Sequence, residues 1–247
     1  MSTQSQGDLP VEVTFIYELA EAKREAVFAM PAFRRWVEKL ATNFIAEHVY
    51  VERVVFFGSR HGFVLASAQA KALDGTAIPT TVFLRGDSVA VLPVLTDSAG
   101  RIWTLLLRQA RVPVGAAAYE EIPAGMLDGG VFASKALDEL REETGVDLGI
   151  TEADLELLEQ VHPSPGACDE SIRIYAAHKL IDDETLARLS GAKGGNPDEH
   201  ESITVEVVPL ADLAFRATAD MKARLAYYAW HASCGIKARP TEHRPQL

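Results

Sequence analysis

The sequence has few cysteines and no long apolar run. Its 247 residues include two cysteines, Cys168 and Cys234, which form no CxxC pair, so a disulfide scaffold is excluded and no zinc site is indicated. No window approaches the ~18 consecutive apolar residues of a membrane span. Residues 1–10 also lack the pattern of a signal peptide. We therefore expect a soluble, cytoplasmic protein, and an organelle address read by a receptor is the open alternative.

The sequence is also poor in basic residues. It has 24 Lys and Arg against 35 Asp and Glu, a formal net charge of −11 and a pI near 5.1. A protein that binds nucleic acid usually carries a basic surface, and none is visible here. The acidity equally disfavours a protein bound to a membrane surface. An acidic protein that acts on phosphates needs divalent cations between the two negative charges.

The pattern of apolar residues changes at Arg85 and predicts two folded parts and a tail. Residues 1–84 are predicted to form a small α+β unit, residues 85–235 a larger α/β domain, and residues 236–247 a frayed tail. The predicted elements are strands near 11–19, 49–58, 62–73, 88–97, 101–110, 155–161, 171–181 and 203–213, helices at 31–48, 133–144 and roughly 217–233, and a polar loop at 191–202.

The stretch "EIPAGMLDGGVFASKALDELREETGV" (121–146) concentrates negative charge on a predicted helix. Glu139, Glu142 and Glu143 are spaced i, i+3 and i+4, so their carboxylates share one face and repel each other. A hard divalent cation such as Mg²⁺ would turn that repulsion into a binding site. Gly145 is a natural end for the helix. The alternative is an ordinary acidic face that is only solvated.

Gly125 together with "DELREETGV" (138–146) resembles the two ends of the Nudix box, the signature of the Nudix hydrolase family. The flanking motifs "LLRQARVPVG", "EIPAGMLD", "HPSPGACDE" and "DEHESITVEVVP" resemble the ADP-sugar pyrophosphatase branch, in particular plant-type ADP-sugar diphosphatases, from about residue 63 to 230. The resemblance implies an α/β fold: a Nudix α/β/α sandwich with a smaller N-terminal α+β unit. It also implies a homodimer in which the N-terminal unit contributes to the site.

Two positions depart from the Nudix box. Asp138 stands where the box has Arg, and Gly130 and Val131 stand where it has an upstream Glu. Losing both partners leaves no uncompensated charge, unlike losing one. Lys135 or Arg141 could form an i,i+3 pair with Asp138 and so replace the missing support. The alternative is that all three side chains are solvated.

The resemblance also implies roles for individual residues. Mg²⁺, or Mn²⁺, would be held by Ala124 through its carbonyl and by Glu139, Glu142 and Glu143. Glu143 is also a catalytic candidate, with Glu199 as the preferred general base in the 191–202 loop and Glu201 as second choice. The candidates for substrate binding are Arg108, Arg111, Gly125, Gly166 and Glu170.

The expected reaction is metal-dependent hydrolysis of a nucleoside diphosphate sugar, ADP-ribose or ADP-glucose, to AMP and a sugar phosphate. One alternative is a Nudix hydrolase of another nucleoside diphosphate derivative. The other is a weakly active Nudix domain that binds ADP-ribose-like ligands, which Asp138 would support and the intact glutamate triplet disfavours.

Overall fold

A computed structural model describes residues 9–57, 60–127, 130–196, 201–216 and 220–237. They form two compact units. The first lies within Met1–Asp87 and His162–Ser171, and the second lies within Ser88–Val161 and Ile172–Leu247. The functional roles assigned to 1–84, 85–235 and 236–247 stay predictions.

The described residues form helices and strands in the following order: β1 Glu12–Phe15, α1 Glu21–Ala29, α2 Pro31–Asn43, β2 Ile45–Phe57, β3 Arg60–Lys71, β4 Thr81–Leu84, β5 Ser88–Thr96, β6 Ile102–Arg111, β7 Ala116–Glu121, β8 Ala124–Met126, α3 Phe132–Thr144, β9 Leu155–Val161, β10 Ile172–Leu180, α4 Asp183–Leu189, β11 Lys193–Gly194, β12 Ile203–Pro209 and α5 Met221–Lys237.

The first unit is a four-stranded sheet covered by two helices. The sheet order is β1-β2-β3-β4, with β1 parallel to β2 and the other pairs antiparallel. Helix α2 buries Phe33, Val37 and Leu40 in the core of this unit, as the helical spacing of its apolar residues predicts.

The prediction of a helix over 31–48 is wrong at its C-terminal end. Helix α2 ends at Asn43, Phe44 is extended (φ −137°), and Ile45 starts β2, where it pairs with Lys71. The apolar spacing continues by chance past Asn43. The β-branched residues that follow favour the strand.

The Pro/Gly-rich segment 162–171 belongs to the first unit. Phe83 donates its N–H to Ala167 O (2.8 Å), and the carboxylate of Asp169 accepts the N–H of Arg85 (2.8 Å). The segment is therefore fastened to β4 and the residues that follow it.

The second unit is a mixed sheet between two layers of helix. Its order is β11-β12-β6-β5-β10-β9, with β7 paired to β6 and β8 to β5. The central strand β5 is buried on both faces, as its continuous apolar run predicts. Val89 and Val91 pack towards α3, while Ala90 and Leu92 pack towards α5. The predicted α/β/α sandwich is confirmed.

The strand predicted at 203–213 is too long, because β12 ends at Pro209 and a 3-10 helix, Leu210–Ala214, follows it. The helices predicted in this unit agree with the structure in position. The helix predicted at 133–144 is α3, which ends at Gly145 in the left-handed conformation (φ 65°). The helix predicted at 217–233 is α5, although 217–219 lie outside the described residues. Helices α1 and α4 are not predicted, and the polar loop 191–202 contains the short strand β11. No helix in the described part of the chain is long and apolar enough to cross a membrane.

Candidate active site

Two glutamates of α3 turn inward. Glu139 and Glu143, one helical turn apart, are 9% and 2% exposed, whereas Glu142 is exposed. They lie beside Ala136 and Leu140, which pack into the core. The triplet is therefore divided between a buried pair and a solvent-exposed third carboxylate, and it is not a uniformly solvated face.

The backbone of β8 lies directly against this buried pair. Glu143 Oε2 accepts the N–H of Ala124 at 2.8 Å. A Cβ built on Gly125 would overlap the carboxylate of Glu139. The sequence "PAG" thus provides a hydrogen-bond donor for one carboxylate and an open space for the other. The structure brings Ala124, Gly125, Glu139 and Glu143 together.

The buried pair carries more negative charge than its neighbours compensate. Burial raises the pKa of Glu143 well above its usual range, and the charge of Glu139 adds to the rise, against the Ala124 N–H. Burial also raises the pKa of Glu139, while Lys135 at 2.6 Å opposes the shift. Such a pair is stabilised by an added cation.

The chemistry of these donors fits a hard divalent cation, because Mg²⁺ and Mn²⁺ prefer carboxylate and carbonyl oxygens. In the present side-chain arrangement, no three His, Cys, Asp or Glu side chains within the described ranges are grouped to hold a metal ion. A complete ligand set therefore requires Glu142 to turn inward, or an oxygen beyond these side chains, such as the Ala124 carbonyl or a water.

Strand β11 lies against the C-terminal end of α3. Gly195 donates its N–H to Glu142 O at 3.0 Å, and a Cβ on Gly194 would overlap Glu143 O. Next in the chain, Glu201 is half-buried and accepts the Asn196 N–H at 3.3 Å. Its charge contributes to the raised pKa values of Glu139 and Glu143, so Glu201 lies near the pair. Glu199 lies outside the described residues.

Arg111, at the end of β6, faces the same cluster. Its Nε donates to Glu121 Oε1 at 2.7 Å. Burial opposes its charge, but Glu121, Glu143 and Glu201 together raise the pKa of Arg111. The guanidinium is thus held as a fixed positive charge beside the carboxylates.

Arg108 belongs to a different charge network. It contacts Glu120 at 2.6 Å and Glu206 at 3.1 Å, and Arg216 contacts the same two glutamates at 2.8 Å. Hydrogen bonding from Arg216 and then from Arg108 lowers the pKa of Glu120 to about 2. Among the described residues, no contact joins Arg108 to Glu139 or Glu143.

Gly166 and Glu170 lie in the first unit. A Cβ on Gly166 would have open space around it. Glu170 Oε2 lies 3.3 Å from Arg85 Nη1, and the Glu170 carbonyl faces His162 Nδ1 at 3.0 Å. Their predicted contact with substrate stays a prediction.

Three charged residues that the sequence did not indicate continue from Arg111 in a series of contacts: Glu121, Lys222 and Asp220. Lys222 Nζ lies 3.1 Å from Glu121 Oε2 and 2.9 Å from Asp220 Oδ1. The consecutive glutamates in "YEEIPAG" were a signal for Glu121, since a charged residue on a core-facing strand position needs a partner. Lys222 is about a hundred positions away in the chain, and no local pattern indicates it.

The ion pair predicted for Asp138 is present with Arg141. The two side chains are 3.3 Å apart and both are exposed, while Lys135 forms an ion pair with Glu139. An exposed i,i+3 pair contributes only about 0.2–0.5 kcal/mol. Whether it replaces the support of the missing Arg stays a hypothesis.

The fold and the site together define a mixed α/β domain whose central helix presents buried carboxylates to a glycine loop. Residues 85–230 match the model of the NUDIX domain, and the chain belongs to the Nudix hydrolase family. It is 32% identical over 236 residues to "Nudix hydrolase 14, chloroplastic" of Arabidopsis thaliana, a match that covers 88% of this chain and 75% of the relative. The predicted family is confirmed.

A solved structure shares the fold. The crystal structure of "ADP compounds hydrolase" aligns with a TM-score of 0.57 and 16% sequence identity, covering 80% of this chain and 97% of that chain. Enzymes of the Nudix family generally use divalent metal ions, which agrees with the donor chemistry of the α3 carboxylates.

Proposed function

We propose that this protein hydrolyses the pyrophosphate bond of ADP-sugars, such as ADP-ribose and ADP-glucose, to AMP and a sugar phosphate in the presence of Mg²⁺ or Mn²⁺. The observation that carries the proposal is the buried pair Glu139 and Glu143, which lies against the Ala124–Gly125 backbone in a Nudix chain. The structural neighbour is named as a hydrolase of ADP compounds, and this supports ADP as the nucleotide part of the substrate.

The reaction consumes one water. The water oxygen bonds to one phosphorus, the bridging P–O bond breaks, and the other phosphate leaves with the bridging oxygen. A bound divalent ion supplies charge neutralisation and a more acidic water. We assign its binding to Glu139, Glu142, Glu143 and the Ala124 carbonyl. Glu199 takes the water's proton in this proposal, and Glu201 is the second choice.

Arg111 is the stronger of the two proposed phosphate ligands. Its Nε is used by Glu121, and among described residues no acceptor is found for its terminal nitrogens, which suit a bidentate phosphate contact. Arg108 is already neutralised by Glu120 and Glu206. Gly125 would allow close approach of the substrate. Gly166 and Glu170 keep their proposed contacts to the substrate.

The weakly active alternative has one observation in its favour: Asp138 has only an exposed ion pair with Arg141.

Two further predictions accompany the proposal. One is a homodimer to which the N-terminal unit contributes, and sedimentation velocity would test it. The other is a cytoplasmic location; the curated relative is named as chloroplastic, so a compartment outside the cytoplasm is the competing prediction.

The proposal is tested with a panel of nucleoside diphosphate sugars and Mg²⁺ or Mn²⁺, the products being identified by mass. We expect ADP-sugars to be the best substrates and EDTA to abolish turnover. Glu143→Gln should lower kcat at least about a hundredfold, because it removes one buried charge from the metal site.

Glu159→Gln, an exposed change on β9, is the matched control and should keep wild-type kcat. If another nucleotide class is turned over faster than ADP-sugars, the substrate assignment is wrong. If Glu143→Gln matches Glu159→Gln, the assigned metal site is wrong. If the wild type binds ADP-ribose without turnover, the chain is a binding domain.

A further inference from the structure

A row of alternating charges runs from the candidate active site into the start of α5. Arg111 Nε contacts Glu121 Oε1 at 2.7 Å, Glu121 Oε2 contacts Lys222 Nζ at 3.1 Å, and Lys222 Nζ contacts Asp220 Oδ1 at 2.9 Å. The last three side chains are 5%, 18% and 3% exposed. We call these four residues the charge row.

The inner end of the charge row is fixed to the backbone at two elements. Asp220 Oδ2 accepts the N–H of Ala223 and the N–H of Ile122, both at 3.2 Å. The first bond caps the start of α5. The second holds the residue that follows Glu121, at the end of β7. Lys222 therefore contacts a residue, Asp220, that is hydrogen-bonded both to α5 and to the backbone at the end of β7.

The outer end of the charge row faces the carboxylates. The charges of Glu143 and Glu201 act on Arg111, so the guanidinium lies close to them. If Glu121 contacted Arg111 alone, the full negative charge of Glu121 would neutralise the guanidinium, and both Glu121 oxygens would be drawn towards Arg111. Lys222 contacts the second oxygen of Glu121, so the negative charge of Glu121 is shared between Lys222 and Arg111.

We propose that Lys222 is a positioning residue for phosphate binding. Lys222 holds Glu121, and Glu121 in turn orients Arg111. Because Lys222 shares the charge of Glu121, Arg111 keeps a positive potential for the phosphate of the substrate. This inference rests on the proposed function, because the phosphate it concerns is that of the ADP-sugar. Lys222 touches no substrate in this role and acts through Glu121 and Arg111. A residue needed only for folding would lower the amount of active enzyme without changing KM.

The test compares three variants of the full chain. Lys222→Gln keeps a hydrogen-bond donor and removes the charge, Lys222→Arg keeps the charge, and Lys39→Gln removes an exposed lysine of α2 as a matched control. We expect Lys222→Gln to raise KM for ADP-ribose about three- to tenfold with kcat within about twofold of wild type. Lys222→Arg should keep KM close to the wild-type value, and Lys39→Gln should leave both KM and kcat unchanged.

A second measurement does not depend on turnover. Titration calorimetry with ADP in EDTA should show the same loss of affinity for Lys222→Gln and none for Lys39→Gln. If Lys222→Gln does not fold, the pair Lys222→Gln and Asp220→Asn removes opposite charges together and leaves no unpaired carboxylate at 220, and the same rise in KM is expected.

The outcomes separate this inference from the proposed function. A wild type that turns over no ADP-sugar refutes the proposed function and this inference with it. An active wild type whose Lys222→Gln variant keeps KM and ADP affinity refutes the inference alone. A fall in kcat with unchanged KM also refutes it, since that result assigns Lys222 to folding or to the chemical step.

Discussion

At Gly125 the absence of a side chain decides where a carboxylate can lie. The Glu139 carboxylate occupies the space that a Cβ on residue 125 would fill. The obstacle is the end of a flexible side chain and not backbone, so an alanine can be accommodated if Glu139 moves away. A substitution at residue 125 should therefore affect the proposed metal site more than the stability of the fold.

Gly125→Ala should lower kcat with little loss of stability. Displacing a catalytic group by about 1 Å can cost about a hundredfold in rate, and we expect a fall of that order in Mg²⁺-dependent turnover. The urea unfolding midpoint should change little, because an alanine also restricts the unfolded chain. Steady-state kinetics and urea titration on one preparation measure both. A variant that loses stability but keeps kcat would show that Glu139 does not need this position.

Strand β11 meets the C-terminal end of α3. Here the close contact is between backbones: a Cβ on Gly194 would overlap Glu143 O, and a Cβ on Gly145 would overlap Lys193 O. Gly145 also ends α3 with a left-handed φ of 65°. This packing keeps the loop that carries Glu201 beside the helix that carries Glu143.

Gly194→Ala should destabilise the fold, in contrast to Gly125→Ala. The overlapping atom is a helix carbonyl, which cannot rotate away, and overpacking of this kind costs about 1–3 kcal/mol. For a chain of this size that lowers Tm by about 2–4 °C per kcal/mol. Differential scanning calorimetry measures it. Gly166→Ala, which has open space for the methyl group, is the control for Tm; equal Tm values for the two variants would contradict the close packing of β11.

The elements that were predicted are those whose signal is local. Glutamates and leucines at helical spacing, followed by Gly145, predict α3 almost residue by residue. The run of apolar residues in β5 predicts a strand buried on both faces. The seven-residue helix α4 is too short for apolar periodicity to develop, and its local signals are the capping residue Asp182 and the acidic residues of its first turn, Asp183 and Glu184.

The candidate site was predicted in part for the same reason. Glu139, Glu143, Ala124 and Gly125 lie in one stretch of sequence, and the structure brings them into contact. That Glu142 is exposed while its neighbours are buried depends on how α3 packs on the sheet, which spacing alone does not determine. The partnership of Lys222 with Glu121 joins residues far apart in sequence and needed the fold.

The protein has a net charge of −11, and its carboxylates are unevenly compensated. Some carboxylates are surrounded by donors. Asp97 accepts the N–H groups of Ala99 and Arg101 and the side chains of Arg101 and Trp103 in the turn between β5 and β6. Glu120 is held by two arginines. These carboxylates support the fold, whereas burial raises the pKa values of the α3 pair despite the contacts of Glu139 with Lys135 and of Glu143 with the Ala124 N–H.

Acid should unfold the protein through the compensated carboxylates. Hydrogen bonding, first from Trp103 to Asp97 and from Arg216 to Glu120, lowers both pKa values to about 2, from 3.8 for Asp97 and 4.5 for Glu120. As pH falls below about 4.5, the unfolded chain takes up these protons first, so their stabilisation is present above that pH and is lost progressively towards pH 2. Urea midpoints measured in EDTA should therefore fall between about pH 4.5 and 2.5. Asp97→Asn should lower the midpoint at pH 6 and reduce its dependence on pH, and Asp212→Asn, at an exposed position, should do neither. Parallel wild-type and Asp97→Asn curves would show that Asp97 does not couple protonation to folding.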